Sequence, residues 1–307
     1  MAQEERNFRS YYYEKFGFRV VEEKKSIEIL LKEQPVSTEK LKQFCLRFPL
    51  PAVYRIHVWK LLLGVLPANQ SSQEFVQQQR EQQFKDLNKG LATIRRVINT
   101  DPPELKLLKL YLLEQGNLPF EDMELVMVMW KESKTYTAMC KGVCKVTDVE
   151  LDQYWVATRF LRHVVKYRDI IVHYPEITLR CLKKEDVDQK LWNHIVHHKL
   201  LSLLPLKDWF SCYFADVLPD ISFQRIWDKV IGGSSYVMVY VAVAILIFFR
   251  RPLLSMKSSE DMVNYLSNIQ DDCGDRIVNE ALDLWAKNGS CLLVSKSDSP
   301  VVDKGKG

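Results

Sequence analysis

The feature that most constrains this chain is the run from 236 to 249, YVMVYVAVAILIFF, which has no charged side chain. As a helix it would be about 21 Å long, whereas the hydrocarbon core of a bilayer is about 30 Å thick. The preceding residues 232–235, GGSS, interrupt a helix and prevent its extension to membrane length. A helix that is apolar on every side must be buried on every side. We therefore predict a central core helix enclosed by other helices, and no transmembrane segment.

The rest of the chain predicts an all-α fold. Apolar residues recur at helical spacing along most of its length, no alternating strand pattern is present, and 11 Gly and 12 Pro in 307 residues leave little room for a many-turned β fold. We predict a helical extension at 1–36 that packs on the domain, one domain at 37–288, and a mobile Gly/Ser-rich tail at 289–307. Among the predicted helices are those at 123–130, 151–168, 183–200, 208–214, 222–230, 259–269 and 275–288.

Several residues are predicted to begin or end helices. The Thr38 hydroxyl is a candidate N-cap, and Pro51 suits the first turn of a helix that ends at Gly64. Ser71 and Glu74 have the spacing of a capping box.

Composition argues against several classes of function. A net charge of +4, from 43 basic and 39 acidic residues, does not call for a nucleic-acid partner or an anionic membrane. Seven scattered cysteines and the absence of a signal sequence favour a reducing, cytoplasmic location. Imidazoles of His194, His197 and His198 share a helical face, but no acidic or thiol ligand lies near them in sequence. We therefore predict no metal site and no cofactor.

Two segments carry a family resemblance. Residues 55–64, RIHVWKLLLG, and residues 225–228, RIWD, resemble signatures of the TBC domain, the GTPase-activating fold that acts on Rab proteins. The resemblance covers about residues 45 to 250 and implies a single domain of two helical subdomains around the apolar helix. The matching signature positions are Arg55, Trp59, Gly64, Asp101, Arg225, Trp227 and Asp228.

The resemblance also identifies where catalytic residues should lie. TBC domains supply an arginine from an IxxDxxR motif and a glutamine from a YxQ motif, but here Glu104 follows Ile98 and Asp101, and Ala138 follows Tyr136. A carboxylate would repel the transferring phosphoryl group, whereas an arginine finger accelerates the reaction by about 10³ to 10⁵. We therefore predict a non-catalytic domain. The alternative is an active Rab GTPase-activating protein with non-standard catalytic residues, for which Arg95 and Arg96 are the nearest candidates.

The helix after the altered motif, ELKLLKLYLL, is apolar except for one sector that contains Lys106 and Lys109. Because it lies between two breaks, we predict an exposed apolar patch for a partner, with contacts at Leu107, Tyr111 and Leu118. The alternative is a helix buried on both sides.

The resemblance is greatest to the branch of the family that assembles with hamartin and tuberin. It implies hamartin's coiled coil as the partner, tuberin through it, and a role in restraining Rheb and mTOR signalling. A Rab-type small GTPase is a second candidate partner. The branch also implies recruitment of a cytoplasmic protein to lysosomal or vesicle membranes through its partners.

Overall fold

The computed structural model describes residues 18–96, 101–119, 134–184, 189–204, 206–215, 217–266 and 269–288. Every regular element among these residues is helical, so the all-α prediction is confirmed. The helices are α1 (Phe18–Lys32), α2 (Thr38–Arg47), α3 (Ala52–Leu62), α4 (Gln73–Thr93), α5 (Pro103–Glu114), α6 (Lys134–Cys144), α7 (Glu150–Val165), α8 (Arg168–Ile171), α9 (Tyr174–Lys184), α10 (Gln189–His197), α11 (Leu200–Leu203), α12 (Leu206–Ser211), α13 (Asp220–Ile231), α14 (Val237–Phe248), α15 (Arg250–Ser255), α16 (Ser259–Leu266) and α17 (Asp271–Lys287).

The apolar run forms α14, which lies at the centre of the fold as predicted. All side chains from Val237 to Leu246 are at most 3% exposed. Helix α17 packs along α14, and α9, α13 and α15 also contact it. Within the described part of the chain, no helix has both the length and the apolar character needed to cross a bilayer.

Helix α13 joins the two halves of the sequence. It contacts α2 and α3 from the N-terminal half and α14 and α17 from the C-terminal half. One hydrophobic core extends from Ile27 on α1 to Trp285 on α17, so the described helices form a single domain. On α1, Glu28 also accepts a hydrogen bond from the Tyr54 hydroxyl at 2.6 Å. The predicted boundaries near 36 and 288 remain predictions.

Two predicted caps differ in the structure. Helix α2 begins at Thr38 as predicted, but its N-cap is Ser37, whose side chain accepts from the Lys40 N–H. The predicted capping box at Ser71 does not form, because the Asn69 side chain accepts from the Ser71 N–H at 3.1 Å and starts a 3₁₀ turn at 70–72. Gly64 adopts a φ of +69° directly after α3, the left-handed conformation that ends a helix most easily with glycine.

Three predicted helices have other bounds or lie outside the described residues. The helix predicted at 183–200 overlaps the end of α9, the whole of α10 and the first residue of α11, and Lys199 at a φ of +50° lies between α10 and α11. The helix predicted at 208–214 ends at Ser211, because Tyr213 and Phe214 both have positive φ. Helix α9 was not predicted, although Pro175 in its first turn is a recognisable start signal. The helix predicted at 123–130 and the tail at 289–307 lie outside the described residues.

Candidate functional site

A buried ion pair lies at the contact between α3 and α13. The Nε of Arg55 donates to Asp228 Oδ1 at 3.1 Å, and its Nη2 donates to Asp228 Oδ2 at 3.2 Å. Arg55 is 8% exposed and Asp228 is 1% exposed. This two-point contact therefore joins two signature residues that are 173 positions apart in the sequence.

The remaining polar atoms of this pair are also satisfied. Trp59, one turn after Arg55 on the same face of α3, donates its indole N–H to Asp228 Oδ1 at 2.9 Å. The other guanidinium donors of Arg55 reach Gln224 Oε1 at 2.8 Å and the Leu50 carbonyl at 2.9 Å. Burial raises the pKa of Asp228, and the Arg55 charge and the Trp59 hydrogen bond oppose that rise. Such complete pairing is what makes a buried charge pair tolerable.

Lys229 extends the network to α2. Its ammonium donates to the carbonyls of Cys45 at 2.6 Å and Phe48 at 2.9 Å, which lie at the end of that helix. Burial lowers the pKa of Lys229 to about 8 and raises the pKa of the Cys45 thiol to about 12. The sequence did not predict a buried hydrogen-bonding role for Lys229 or Gln224, since a lysine or glutamine on an amphipathic helix is normally solvated.

Trp227 fills the space beside this network. Its indole N–H donates to the Tyr213 carbonyl at 2.9 Å, and its ring centroid lies 6.0 Å from that of Trp59 and 4.9 Å from that of Phe160. Arg225 instead faces outward and donates to Asn279 Oδ1 at 2.8 Å. The structure therefore brings Arg55, Trp59, Trp227 and Asp228 together as a packing and hydrogen-bonding centre, whereas Arg225 lies outside it. We call the first four residues, with Lys229, the α3–α13 centre.

The position predicted for the arginine finger lies at the start of α5. Glu104 is half-buried in the first turn, and Asp101, just before the helix, accepts from Lys109 Nζ at 2.6 Å. Lys109 is 3% exposed, so this charge belongs to a buried ion pair and not to the polar outer face that the sequence predicted. The Glu104 charge acts on the thiols of Cys140 and Cys144 on α6, and burial together with Glu104 and Glu150 raises the pKa of Cys144 to about 11. A carboxylate, and not a guanidinium, therefore occupies the predicted finger position.

The position predicted for the glutamine finger is inside the protein. Ala138 is 2% exposed on α6, and Tyr136 stacks on Tyr111 with ring centroids 4.5 Å apart. The Tyr136 hydroxyl forms a hydrogen bond with Thr158 Oγ1 at 3.1 Å. A larger side chain at 138 would therefore have to displace its buried neighbours.

Comparison with known proteins places this geometry in a family. Proteins named TBC1 domain family member 7 are similar along most of their length: the one from Homo sapiens is 40% identical over 285 residues, covering 92% of this chain and 96% of the relative. The one from Danio rerio is 42% identical over 285 residues, covering 92% and 95%. The chain belongs to the TBC domain family. The family model described as RabGAP TBC domain matches residues 176–273.

Solved structures share the fold. The Ypt/Rab-GAP domain of Gyp1p superposes with a TM-score of 0.60 at 18% identity, covering 88% of this chain and 99% of that domain. The flagellar RabGAP TBC domain of Chlamydomonas gives a TM-score of 0.53 at 16% identity, covering 94% and 93%. The predicted resemblance to the TBC domain family is confirmed. The 40–42% identity to proteins named TBC1 domain family member 7 confirms the predicted branch of that family.

The exposed apolar patch predicted on this TBC domain is largely absent. Leu107 is 2% exposed, and Leu108, Leu110 and Leu112 are also buried, because α4, α6 and α7 all pack on α5. The prediction that Leu107 forms a surface contact is therefore wrong for this conformation. Tyr111 and Leu118 are half-buried and retain some exposed surface.

A cluster of three arginines lies near the C-terminal end of α5. Arg80, Arg159 and Arg162 lie near one another and near Glu114. Burial and the neighbouring arginine charges lower the pKa of Arg80 and Arg159, and the Glu114 charge opposes that change. Glu114 is ten residues after Glu104 on α5, a rise of about 15 Å. This cluster therefore does not place a guanidinium at the start of α5.

Neither metal nor disulfide chemistry is evident in the described residues. His194, His197 and His198 lie with neighbouring ring centroids 4.5 and 5.0 Å apart, but no group of three metal-ligating side chains was found in the part of the chain that the structure describes. The described cysteines are free thiols.

Proposed function

We propose that this chain is a non-catalytic TBC-domain subunit that binds the coiled coil of hamartin and supports the hamartin–tuberin complex. Tuberin would carry the GTPase-activating chemistry, and the assembly would restrain Rheb and mTOR signalling. The protein would be cytoplasmic and reach lysosomal or vesicle membranes through these partners. The observation that carries the proposal is the pair of altered finger positions, Glu104 and Ala138.

The geometry supports the absence of catalysis in two ways. Glu104 puts a carboxylate where the reaction needs a cation, so it opposes the charge that develops on the phosphoryl group. Ala138 is buried and has no donor to position a water. Loss of the arginine alone removes about 10³ or more of the rate enhancement.

Single-turnover GTP hydrolysis on a panel of Rab proteins tests this proposal. We expect less than about a hundredfold stimulation over the intrinsic rate, a small part of what an arginine finger supplies. Arg95→Ala and Arg96→Ala test the alternative, an active enzyme with a non-standard arginine. A stimulation above a hundredfold that either substitution removes would establish that alternative and overturn the proposal.

The surface that remains for a coiled coil lies beside α5. Tyr111, Leu113 and Leu118 are half-buried against the core and keep part of their surface exposed. Helix-against-helix packing suits a partly apolar face of this kind. Leu118 is the sharper test site, because it lies four residues after the last residue of α5, Glu114, and does not take part in the Tyr111–Tyr136 stack.

Co-purification with hamartin's coiled-coil peptide tests the partner. We expect Leu118→Glu to reduce capture at least tenfold, because a carboxylate would be buried in an apolar contact. Val53→Glu is the matched control, since Val53 is 82% exposed on α3 and should leave capture unchanged. Full capture by Leu118→Glu would place the interface elsewhere, and no capture by the native chain would reject hamartin as the partner.

A further inference from the structure

A cavity of about 300 Å³ lies among α7, α8, α12 and the start of α9. It adjoins the α3–α13 centre, because Trp227 donates to the carbonyl of the lining residue Tyr213, but no residue of that centre lines the cavity. Its volume is at the lower end of the range of about 300–1,000 Å³ that is usual for small-molecule sites.

The walls of the cavity are apolar. Leu161 and Val164 line it from α7 and Phe210 from α12, and all three are at most 9% exposed. Val165 and Val172 also line it and are 47% and 66% exposed, so they form an apolar lip that is open to solvent. An aliphatic chain would gain by leaving water for this space.

Two cations stand among the lining residues. Arg168 and Lys207 are both solvent-exposed, and neither is ion-paired with a carboxylate of the described residues. Asp208, next to Lys207, is paired with Lys134 at 2.9 Å, and its charge is therefore already balanced.

An unsatisfied buried hydroxyl adds to this arrangement. Tyr213 lines the cavity and is 2% exposed, and its hydroxyl has no hydrogen-bond partner among the described residues. Arg168 lines the same cavity, and its charge opposes the rise in the pKa of Tyr213 that burial causes. A buried hydroxyl without a partner is costly, and a ligand oxygen would satisfy it.

We propose that this cavity binds a medium-chain fatty carboxylate, with its aliphatic chain between α7 and α12 and its carboxylate between Arg168, Lys207 and the Tyr213 hydroxyl. The apolar walls account for the chain, and the cations with the hydroxyl account for the head group. The site goes beyond the proposed function, because neither a GTPase nor a coiled coil requires this cavity.

Isothermal titration of the full chain with decanoate, below its micelle-forming concentration, tests the proposal. We expect saturable one-to-one binding, and binding of decanol at least tenfold weaker because it lacks the charge. The double variant Arg168→Gln/Lys207→Gln should lose at least tenfold in affinity. Lys166→Gln is the matched control: Lys166 is an exposed cation two residues from Arg168 that does not line the cavity, and its loss should leave affinity unchanged.

Tyr213→Phe tests the hydroxyl without disturbing the fold, because that group has no partner to lose. We expect its affinity for decanoate to fall at least fivefold and its thermal midpoint to be retained. The proposal is overturned if decanoate does not saturate, if the double charge variant or Tyr213→Phe binds as the native chain does, or if Lys166→Gln weakens binding equally. Sedimentation with anionic phospholipid vesicles without decanoate binding would assign the cations to a membrane surface and would also overturn it.

Discussion

At the scale of single residues, the chain depends on a carboxylate that no solvent reaches. Asp228 accepts hydrogen bonds from Arg55 and Trp59, so one side chain on α13 fixes two positions on α3. Replacing a buried ion pair with apolar groups can be harmless, but removing one partner leaves the other charged and desolvated. Asp228 is thus needed to balance the buried charge of Arg55 as well as to join α13 to α3.

We therefore expect Asp228→Asn to destabilise the protein by about 3–5 kcal/mol, since Arg55 would remain buried without its counter-charge. The free energy of urea unfolding measures the loss. Arg225→Gln is the control within the same signature, because its pair with Asp275 is 3.6 Å long and exposed and should contribute less than about 1 kcal/mol. Equal losses in the two variants would show that the α3–α13 centre is not held by charge.

Most residues of this centre could be identified from the sequence, but their role in joining α3 to α13 could not. Arg55, Trp59, Trp227 and Asp228 were found as a family pattern, and their spacing alone did not show that two helices 173 residues apart would meet there. The burial of Lys229 was not predicted, because helical periodicity indicates the face on which a residue lies but not the carbonyls to which its side chain donates. Pairings between distant elements depend on tertiary packing, which a single sequence does not contain.

At the scale of helices, close packing of α6 on α13 depends on a glycine. A Cβ added to Gly142 would lie 2.3 Å from Cη2 of Trp227, a ring that is fully buried. Only a residue without a side chain lets the indole approach the helix backbone so closely. The same contact connects α6, the helix that carries Ala138, to Trp227 of the α3–α13 centre.

We expect Gly142→Ala to destabilise the protein by about 1–3 kcal/mol, because a buried indole cannot move away without disturbing its neighbours. Gly90→Ala is the matched control on α4, where the added Cβ would meet only the flexible end of Leu113 at 3.3 Å. Since alanine is the better helix former, that variant should be neutral or gain up to about 1 kcal/mol. Thermal unfolding of both variants decides, and an unchanged midpoint for Gly142→Ala would contradict the packing described.

Helix α5 shows what periodicity could not settle. Leucines on nearly all its sides are compatible with an exposed patch or with burial on both sides, and the covering helices α4, α6 and α7 decide for burial. The Tyr111–Tyr136 stack also makes Tyr111 a poor site for testing the predicted partner contact. Tyr111→Glu should lower the thermal midpoint because it removes that stack.

At the scale of the whole molecule, one core links both ends of the described chain, so titration of a single buried group shifts the stability of the entire fold. Lys229 and Cys45 lie next to each other with opposite effects. Between its folded pKa of about 8 and its ordinary 10.5, Lys229 has released a proton that the unfolded chain still binds, so rising pH favours folding there. The buried Cys45 thiol acts in the other direction.

The Cys45 effect can be isolated by comparing native protein with Cys45→Ala across pH. Between the ordinary thiol pKa of 9.0 and the folded value of about 12, the folded chain keeps a proton that the unfolded chain loses, so rising pH favours unfolding. The variant lacks this loss and shares every other titrating group, including Lys229. Cys45→Ala should have a lower unfolding free energy than the native protein, and we call this difference the deficit. The deficit should be constant from pH 7 to 8 and should decrease above pH 9, by at most about 1.4 kcal/mol per pH unit. Urea unfolding at pH 8, 9 and 10 measures that deficit, and a deficit that stays constant to pH 10 would mean that the Cys45 thiol ionises as readily in the folded chain as in the unfolded one.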